Sequence, residues 1–117
     1  MPKRLLTGLL LACWLPLAAA EGDTPQLWGY GVKGCRDYIA AWEGREQGDA
    51  EAAMDYLLYR EWLAGLVTGL SLATGQDVLV GVEIEQALRR IELHCEEHRE
   101  DDFFKASMDL VRLLSML

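Results

Sequence analysis

The chain has few basic residues, and this shortage excludes several functions. Lysine and arginine number 11 against 19 aspartates and glutamates, which gives a formal charge of −8 at pH 7. Nucleic acids and anionic membranes attract basic surfaces, and the sequence contains no basic patch or row of base-stacking aromatics. We therefore predict a soluble protein that binds neither nucleic acid nor a membrane surface.

The sequence also lacks the usual motifs of enzymes and cofactor sites. Residues 26–34 contain several glycines, but no strand precedes them and no GK[ST] ending follows, which argues against a phosphate-binding loop. No serine lies in a nucleophile elbow, and no pair of carboxylates stands out as acid and base. We predict a protein that is not an enzyme and has no cofactor.

The one long apolar run lies at the amino terminus. Residues 1–4 are basic, residues 5–17 are apolar, and three alanines ending at Ala20 follow. This order is typical of a secretory signal peptide, so we predict cleavage after Ala20 and a periplasmic or secreted protein. Cys13 leaves a second interpretation open, in which this cysteine is lipidated and tethers the protein to a membrane.

Cysteines are scarce, and after cleavage only Cys35 and Cys95 remain. In an oxidising compartment the simplest prediction is that they pair. The length of residues 21–117 fits a single domain with a modest core. For so small a domain, a disulfide between positions this far apart would supply a large part of the net stability.

Apolar periodicity and capping residues predict an all-α bundle of about four helices. Residues 21–34 form an irregular lead-in to the first helix. The short apolar patch at residues 78–82 is too isolated to form a sheet. The predicted helices cover residues 35–47, 49–71, 82–97 and 103–117.

The second helix is predicted to be the centre of the fold. It begins at the N-cap Asp49, and its later part is apolar on most sides, so we expect it to be buried nearly all round. Gly65 and Gly69 lie on one face, beside Trp62, and each costs about 1 kcal/mol relative to alanine in a helix interior. Close packing of a neighbouring helix would recover that cost, so we predict such packing here.

Apolar positions on the helices predict the core or, alternatively, a surface for apolar clients. In the third helix they recur at helical spacing and place Cys95 on the buried stripe. The carboxyl-terminal end, residues 113–117, is apolar enough to dock on the core or to cover a partner. The predicted core or client residues are Leu66, Leu70, Ile84, Leu88, Ile91, Phe103 and Phe104.

His94 and His98 lie one helical turn apart, and two interpretations compete. They could share a zinc ion with nearby carboxylates, but the order of residues does not match HExxH and no third ligand follows. We favour exposed histidines near a helix end and predict no metal site. Because histidine titrates between about pH 5 and 8, both residues are candidate pH sensors.

Four short segments carry a resemblance to a known family: residues 35–38 (CRDY), 62–69 (WLAGLVTG), 91–95 (IELHC) and 103–106 (FFKA). With these segments the chain resembles the HdeA/HdeB family of periplasmic acid-stress proteins, and the similarity spans residues 34–111. The resemblance implies an all-α disulfide-bonded fold, a homodimer at neutral pH and an acid-triggered opening. The open form would then shield unfolding client proteins with its apolar surface.

Two functions follow from these observations. The first is an exported chaperone of the HdeA type, because protonation of the 19 carboxylates would make the chain strongly positive and favour opening. The second rests on a weaker resemblance to the small Rap/Tai immunity proteins of type VI secretion. It predicts one specific protein partner, a secreted toxin, bound at neutral pH through the acidic surface and the region of Trp28 and Tyr30.

Overall fold

Four helices form the fold that a computed structural model describes for residues 24–117. They are α1 (Cys35–Glu46), α2 (Ala50–Thr74), α3 (Ile84–Glu97) and α4 (Phe103–Ser115), preceded by a 3-10 turn at Gly29–Val32. Over this range the backbone forms no strand, only an isolated bridge between Gly34 and Asp102. The predicted all-α bundle is confirmed. The signal peptide predicted for residues 1–20 lies outside the described residues.

Polar caps and one glycine set the helix ends. The Asp49 side chain accepts a hydrogen bond of 3.2 Å from the second backbone N–H of α2, as expected of an N-cap. Glu83 and Gln86 form a capping box at the start of α3. Asp102 caps α4 through a hydrogen bond of 2.7 Å. Gly75 ends α2 with a φ of 69°, a conformation that glycine adopts without strain.

A disulfide joins the start of α1 to the end of α3, as predicted. Cys35 and Cys95 are both fully buried, and their Cα atoms lie 5.0 Å apart. A backbone hydrogen bond lies beside the disulfide, because Cys35 N–H donates to the carbonyl of Asp101 at 2.8 Å. The disulfide therefore lies where the entries to α1 and α4 meet.

The core of the bundle is aromatic. Tyr38, Tyr59 and Phe103 are each 0% exposed. Their ring centroids lie 4.8–5.0 Å apart, within the range of favourable aromatic pairs. The Tyr38 hydroxyl donates to the backbone carbonyl of Leu88 at 2.8 Å, which satisfies a polar group that would otherwise be costly to bury. This cluster ties α1, α2 and α4 together, and Tyr38 links it to α3.

Helix α2 is buried along one side only, so the prediction that it is buried nearly all round is wrong. Tyr56 and Tyr59 are 2% and 0% exposed, whereas Leu57 and Leu58 between them are 47% and 48% exposed. Among the described elements, α1 makes the most extensive contact with α2. The opposite side of α2, including Leu72 near its end, faces solvent.

The prediction that a neighbouring helix packs closely on Gly65 and Gly69 is also wrong for this chain. Both glycines are exposed, and a Cβ added to either would meet no atom within 4 Å. The physical reason is their position on the uncovered side of α2. Their cost in helix propensity is therefore not recovered by packing against any of residues 24–117.

Close packing occurs at two other glycines instead. A Cβ at Gly31, in the 3-10 turn, would overlap the six-membered ring of Trp62. A Cβ at Gly44 in α1 would lie 2.5 Å from the Cβ of Ala52 in α2. Trp62 is half-buried, and its indole N–H donates to the carbonyl of Trp28 at 2.9 Å. These two glycines let the lead-in and α1 lie close against α2.

We expect alanine at Gly65 and at Gly31 to change stability in opposite directions. Gly65→Ala should raise the free energy of unfolding by up to about 1 kcal/mol, because the helix gains propensity and nothing obstructs the methyl group. Gly31→Ala should lower it by about 1–3 kcal/mol, because Trp62 must move. Urea denaturation of the two variants measures both changes. A destabilised Gly65→Ala would mean that this face is covered.

Candidate functional site: the α3–α4 groove

An apolar groove open to solvent lies between α3 and α4, and we call it the α3–α4 groove. Its volume is about 360 Å³. Leu93, Leu113 and Leu117 on it are 52%, 59% and 91% exposed. Its lining residues are Arg90, Leu93, His94, Ala106, Leu110, Leu113, Leu114 and Leu117. An apolar segment bound here would cover leucine side chains that now contact water.

The sequence of α4 explains how the groove forms. Phe103, Ala106, Leu110 and Leu114 recur at helical spacing and are buried against the core. Leu113 is also apolar but lies beside that stripe, where no described element covers it. The apolar end of the chain therefore both docks on the core and leaves a surface uncovered.

A charged cluster borders the groove at His94. The His94 Nε2 atom lies 2.9 Å from an Asp101 carboxylate oxygen and 3.7 Å from one of Asp109. The Lys105 ammonium lies 3.3 Å from Asp101 and 3.4 Å from Asp109. Because His94 belongs to α3 and Lys105 and Asp109 to α4, the cluster joins the two helices that form the groove.

Acid weakens this cluster. The hydrogen bond with His94, followed by the contacts with Lys105, lowers the pKa of Asp101 below its ordinary value of 3.8. A carboxyl whose pKa is lower in the folded state than in the unfolded state stabilises the fold above the ordinary pKa. That contribution is lost as the pH falls through the lowered pKa. The link between α3 and α4 at the groove is therefore sensitive to acid.

Glu85 forms a second link of the same kind, between α2 and α3. It accepts hydrogen bonds of 2.6 Å from the Tyr56 hydroxyl and 2.6 Å from Arg60 Nε. The Tyr56 hydrogen bond is the largest cause that lowers the pKa of Glu85, and Arg60 comes next. Burial raises the pKa of Tyr56 to about 12, so its hydroxyl keeps the proton that it donates.

The pKa of Glu92 is shifted in the opposite direction from those of Glu85 and Asp101. It is 8% exposed, and burial is the largest cause that raises its pKa above the ordinary value of 4.5. A carboxyl with a raised pKa destabilises the fold when ionised, and this penalty disappears as the pH falls through the raised pKa. Protonation of Glu92 therefore stabilises the fold in acid, while protonation of Glu85 and Asp101 destabilises it.

We expect Glu85→Gln to reduce stability at pH 7 and to flatten the loss of stability in acid. The change should be less than about 1 kcal/mol, because this side chain is 55% exposed and solvent screens its pairing with Arg60. Urea midpoints measured from neutral pH to below 4.5, the ordinary glutamate pKa, would show the effect. Glu46→Gln, a change at an exposed glutamate of α1, is the matched control. Equal curves of urea midpoint against pH for the two variants would contradict the prediction.

The predicted core or client residues do not line the groove. Leu88, Ile91 and Phe103 are fully buried, whereas the other four are half-buried: Leu66, Leu70, Ile84 and Phe104. The groove leucines were missed because Leu93 lies off the main stripe of α3 and Leu113 off that of α4. The signal that could have found them is a leucine at an otherwise polar position of an amphipathic helix.

The two candidate pH sensors have different surroundings. His94 is partly buried among the acids, whereas His98 is exposed and is the C-cap residue of α3. Their rings lie 4.6 Å apart. Within residues 24–117 the nearest approach to a metal-binding set is His94 with Asp101 and Asp109, whose ligand atoms lie within 4.8 Å of one another. The Lys105 ammonium contacts both of these carboxylates and supplies one positive charge against their two negative charges.

A scan against protein-family models, a search of curated proteins and a search of solved structures each found no match. Among the helices described, none combines the length and the apolar character needed to cross a membrane.

Proposed function

We propose that this chain is an exported, non-enzymatic binding protein that loosens in acid and then binds apolar segments of unfolding proteins. The proposal follows the resemblance to the HdeA/HdeB family. The observation that carries it is the position of the His94 cluster beside the α3–α4 groove. Protonation of Asp101 weakens the link between the two groove helices, so acid would widen the apolar surface offered to a client.

The charge balance supports the same proposal. Residues 21–117 hold 9 basic and 19 acidic residues, which gives −10 at neutral pH. Once all 19 carboxylates are protonated and both histidines are charged, the balance becomes +11. Self-repulsion then favours an expanded chain, while the disulfide keeps α1 and α3 joined. Such an opening would be limited and reversible.

Light scattering of an unrelated protein that aggregates at about pH 2–3, where carboxylates are protonated, tests the proposal. The disulfide-bonded chain should suppress the aggregation. The double variant Leu93→Ser with Leu113→Ser should lose most of this suppression. Leu72→Ser with Val80→Ser is the matched control, since these residues are 80% and 54% exposed but lie outside the groove. Aggregation that proceeds equally with and without the wild-type chain would refute the proposal.

A second candidate function is neutralisation of a secreted toxin by a protein of the immunity type. The observation that favours it is Trp28, which is 79% exposed although a tryptophan is costly to leave in water. Exposed aromatic residues are frequent at the centres of protein interfaces. A pull-down at neutral pH should then recover one partner, which Trp28→Ala loses. Recovery of no specific protein would count against this function.

A further inference from the structure

The α3–α4 groove is basic, although the protein as a whole is acidic. The chain holds 19 aspartates and glutamates, yet none of them is among the described residues that line the groove. Arg90, an exposed residue of α3, gives the lining a permanent positive charge. Within residues 24–117, no carboxylate oxygen lies within 4.0 Å of its guanidinium nitrogens. The groove therefore combines leucine side chains with a cation that can pair with an external anion.

The sequence of α3 explains why Arg90 has no acidic partner on its own helix. On a helix, the residues three and four positions away are the ones that can pair. For Arg90 these residues carry no carboxylate: they are Gln86, Ala87, Leu93 and His94. Arg99 and Arg112, in contrast, each pair with an acid three positions earlier.

The two helices place Arg90 and the acids of the His94 cluster at different ends of the groove. A short turn joins α3 to α4, so the helices run antiparallel. His94 lies late in α3 and contacts Asp101 in that turn. Arg90 lies one helical turn earlier in α3, towards the end of α4 that carries Leu117. An anion paired with Arg90 would therefore lie away from the acids.

The apolar part of the groove, as it stands in the folded chain, suits an aliphatic chain better than an extended peptide. Both sides of the groove are helices, whose backbone N–H and C=O groups are bonded within the helix. An extended peptide would leave its own backbone groups without partners against leucine side chains, and this is costly. An acyl chain has no such groups. Three buried residues and three exposed leucines would contact it: Ala106, Leu110, Leu114, Leu93, Leu113 and Leu117.

We propose that the α3–α4 groove of the folded protein binds a free fatty acid, with the acyl chain along the leucines and the ionised carboxylate paired with Arg90. A guanidinium group presents paired N–H donors that match the two oxygens of a carboxylate. The groove volume of about 360 Å³ is near the lower end of the range for small-molecule pockets, which favours an acyl chain of medium length.

This binding needs the folded form and an ionised ligand, so it belongs to neutral pH. The function proposed above needs acid and an opened groove. Failure to suppress aggregation in acid would leave the fatty-acid site standing, and failure to bind a fatty acid at neutral pH would leave the acid-induced function standing.

Calorimetric titration at neutral pH with decanoate, kept below the concentration at which it forms micelles, tests the site. Binding should saturate at one decanoate per chain. From octanoate to decanoate the affinity should rise about two- to fourfold for each added methylene group that the groove covers. Binding that does not saturate, or an affinity that does not depend on chain length, would overturn the proposal.

A cationic amphiphile with the same chain separates the local charge of the groove from the charge of the whole protein. The net formal charge of −8 attracts cations and repels anions. A preference for the anion can therefore come only from the groove itself. Decyltrimethylammonium should bind about tenfold more weakly than decanoate, or weaker still. Equal or tighter binding of the cationic amphiphile would contradict the assignment.

Two arginine variants test the position of the carboxylate. Arg90→Gln should weaken decanoate binding about tenfold or more, because charge-assisted hydrogen bonds are lost. Arg36→Gln removes the same charge from an exposed position of α1 outside the groove and should leave the affinity within about twofold. If both variants weaken binding equally, then general charge attraction holds the ligand and the proposal is wrong.

A second pair of variants tests the position of the acyl chain. Leu93→Ser with Leu113→Ser should weaken decanoate binding about tenfold, because the chain loses apolar contacts in the groove. Leu72→Ser with Val80→Ser changes exposed apolar residues outside the groove and should leave the affinity unchanged. The reverse order of the two effects would place the ligand elsewhere.

An acetylated trileucine peptide with a free carboxyl end tests the alternative that the groove holds the end of a protein chain. It offers a similar apolar surface and the same carboxylate, but it also carries a peptide backbone. It should bind at least about fivefold more weakly than decanoate, because its backbone groups find no partners in the groove. Tighter binding of the peptide would assign the groove to protein carboxyl termini and overturn the proposal.

Discussion

Replacing both Cys35 and Cys95 by serine is expected to lower the free energy of unfolding by about 4 kcal/mol. The two cysteines are 60 positions apart, and opening a closed loop of that length restores much chain entropy to the unfolded state. A single domain has only about 5–15 kcal/mol of net stability, so this loss would remove a large share of it. Urea and thermal denaturation of the protein measure the loss.

Reduction provides the control for this experiment. A reductant should bring the wild-type midpoint to that of the serine variant and leave the variant unchanged. If the variant is as stable as the oxidised wild type, then the core alone holds the bundle and the stabilising role assigned to the disulfide is wrong.

Phe103→Ala is expected to cost about 3–5 kcal/mol, because it leaves a cavity at the centre of the aromatic core. Phe103 is 0% exposed and packs against Tyr38, Tyr59 and Trp62. Since it is also the first residue of α4, its loss should loosen the attachment of that helix. Urea denaturation gives the magnitude, and near-ultraviolet circular dichroism reports the environment of the remaining rings.

Phe104→Ala is the matched control, because it removes the same side chain one position later. Phe104 is half-buried and meets Trp62 at a centroid distance of 6.4 Å, so less apolar surface is lost. The expected cost is about 1 kcal/mol. Similar costs for the two variants would show that the core is not centred on Phe103.

The helices and the disulfide could be predicted because local signals determine them. Asp49 carries its capping role in its own side chain, and α3 shows a clean helical period up to Cys95. The cysteine pairing follows from the predicted export and from the two cysteines that would remain after the predicted cleavage. None of these inferences requires knowledge of how the helices pack.

The choice of buried face on α2 could not be predicted, because it depends on tertiary packing. In the run from Tyr56 to Tyr59, the tyrosines are buried and the more apolar leucines are exposed. The Tyr56 hydroxyl reaches Glu85, and the ring of Tyr59 packs against Tyr38 and Phe103, so these large rings fill the core better than leucines would. The contact between Gly31 and Trp62 likewise joins positions far apart in sequence and leaves no periodic signal.

The candidate site was missed for a related reason. The sequence singles out His94, but its acidic partner Asp101 lies in the turn that joins α3 to α4, and Asp109 lies in α4. Side chains that meet across a turn have no fixed sequence spacing.

The disulfide encloses the exposed turn between α2 and α3, which includes Gly75 and Gly81. A protease that cuts this turn would produce two fragments that still migrate as one species in a non-reducing gel. Only a reducing agent would release them. A nicked molecule could therefore persist in an oxidising environment as a single particle with an extra pair of chain ends.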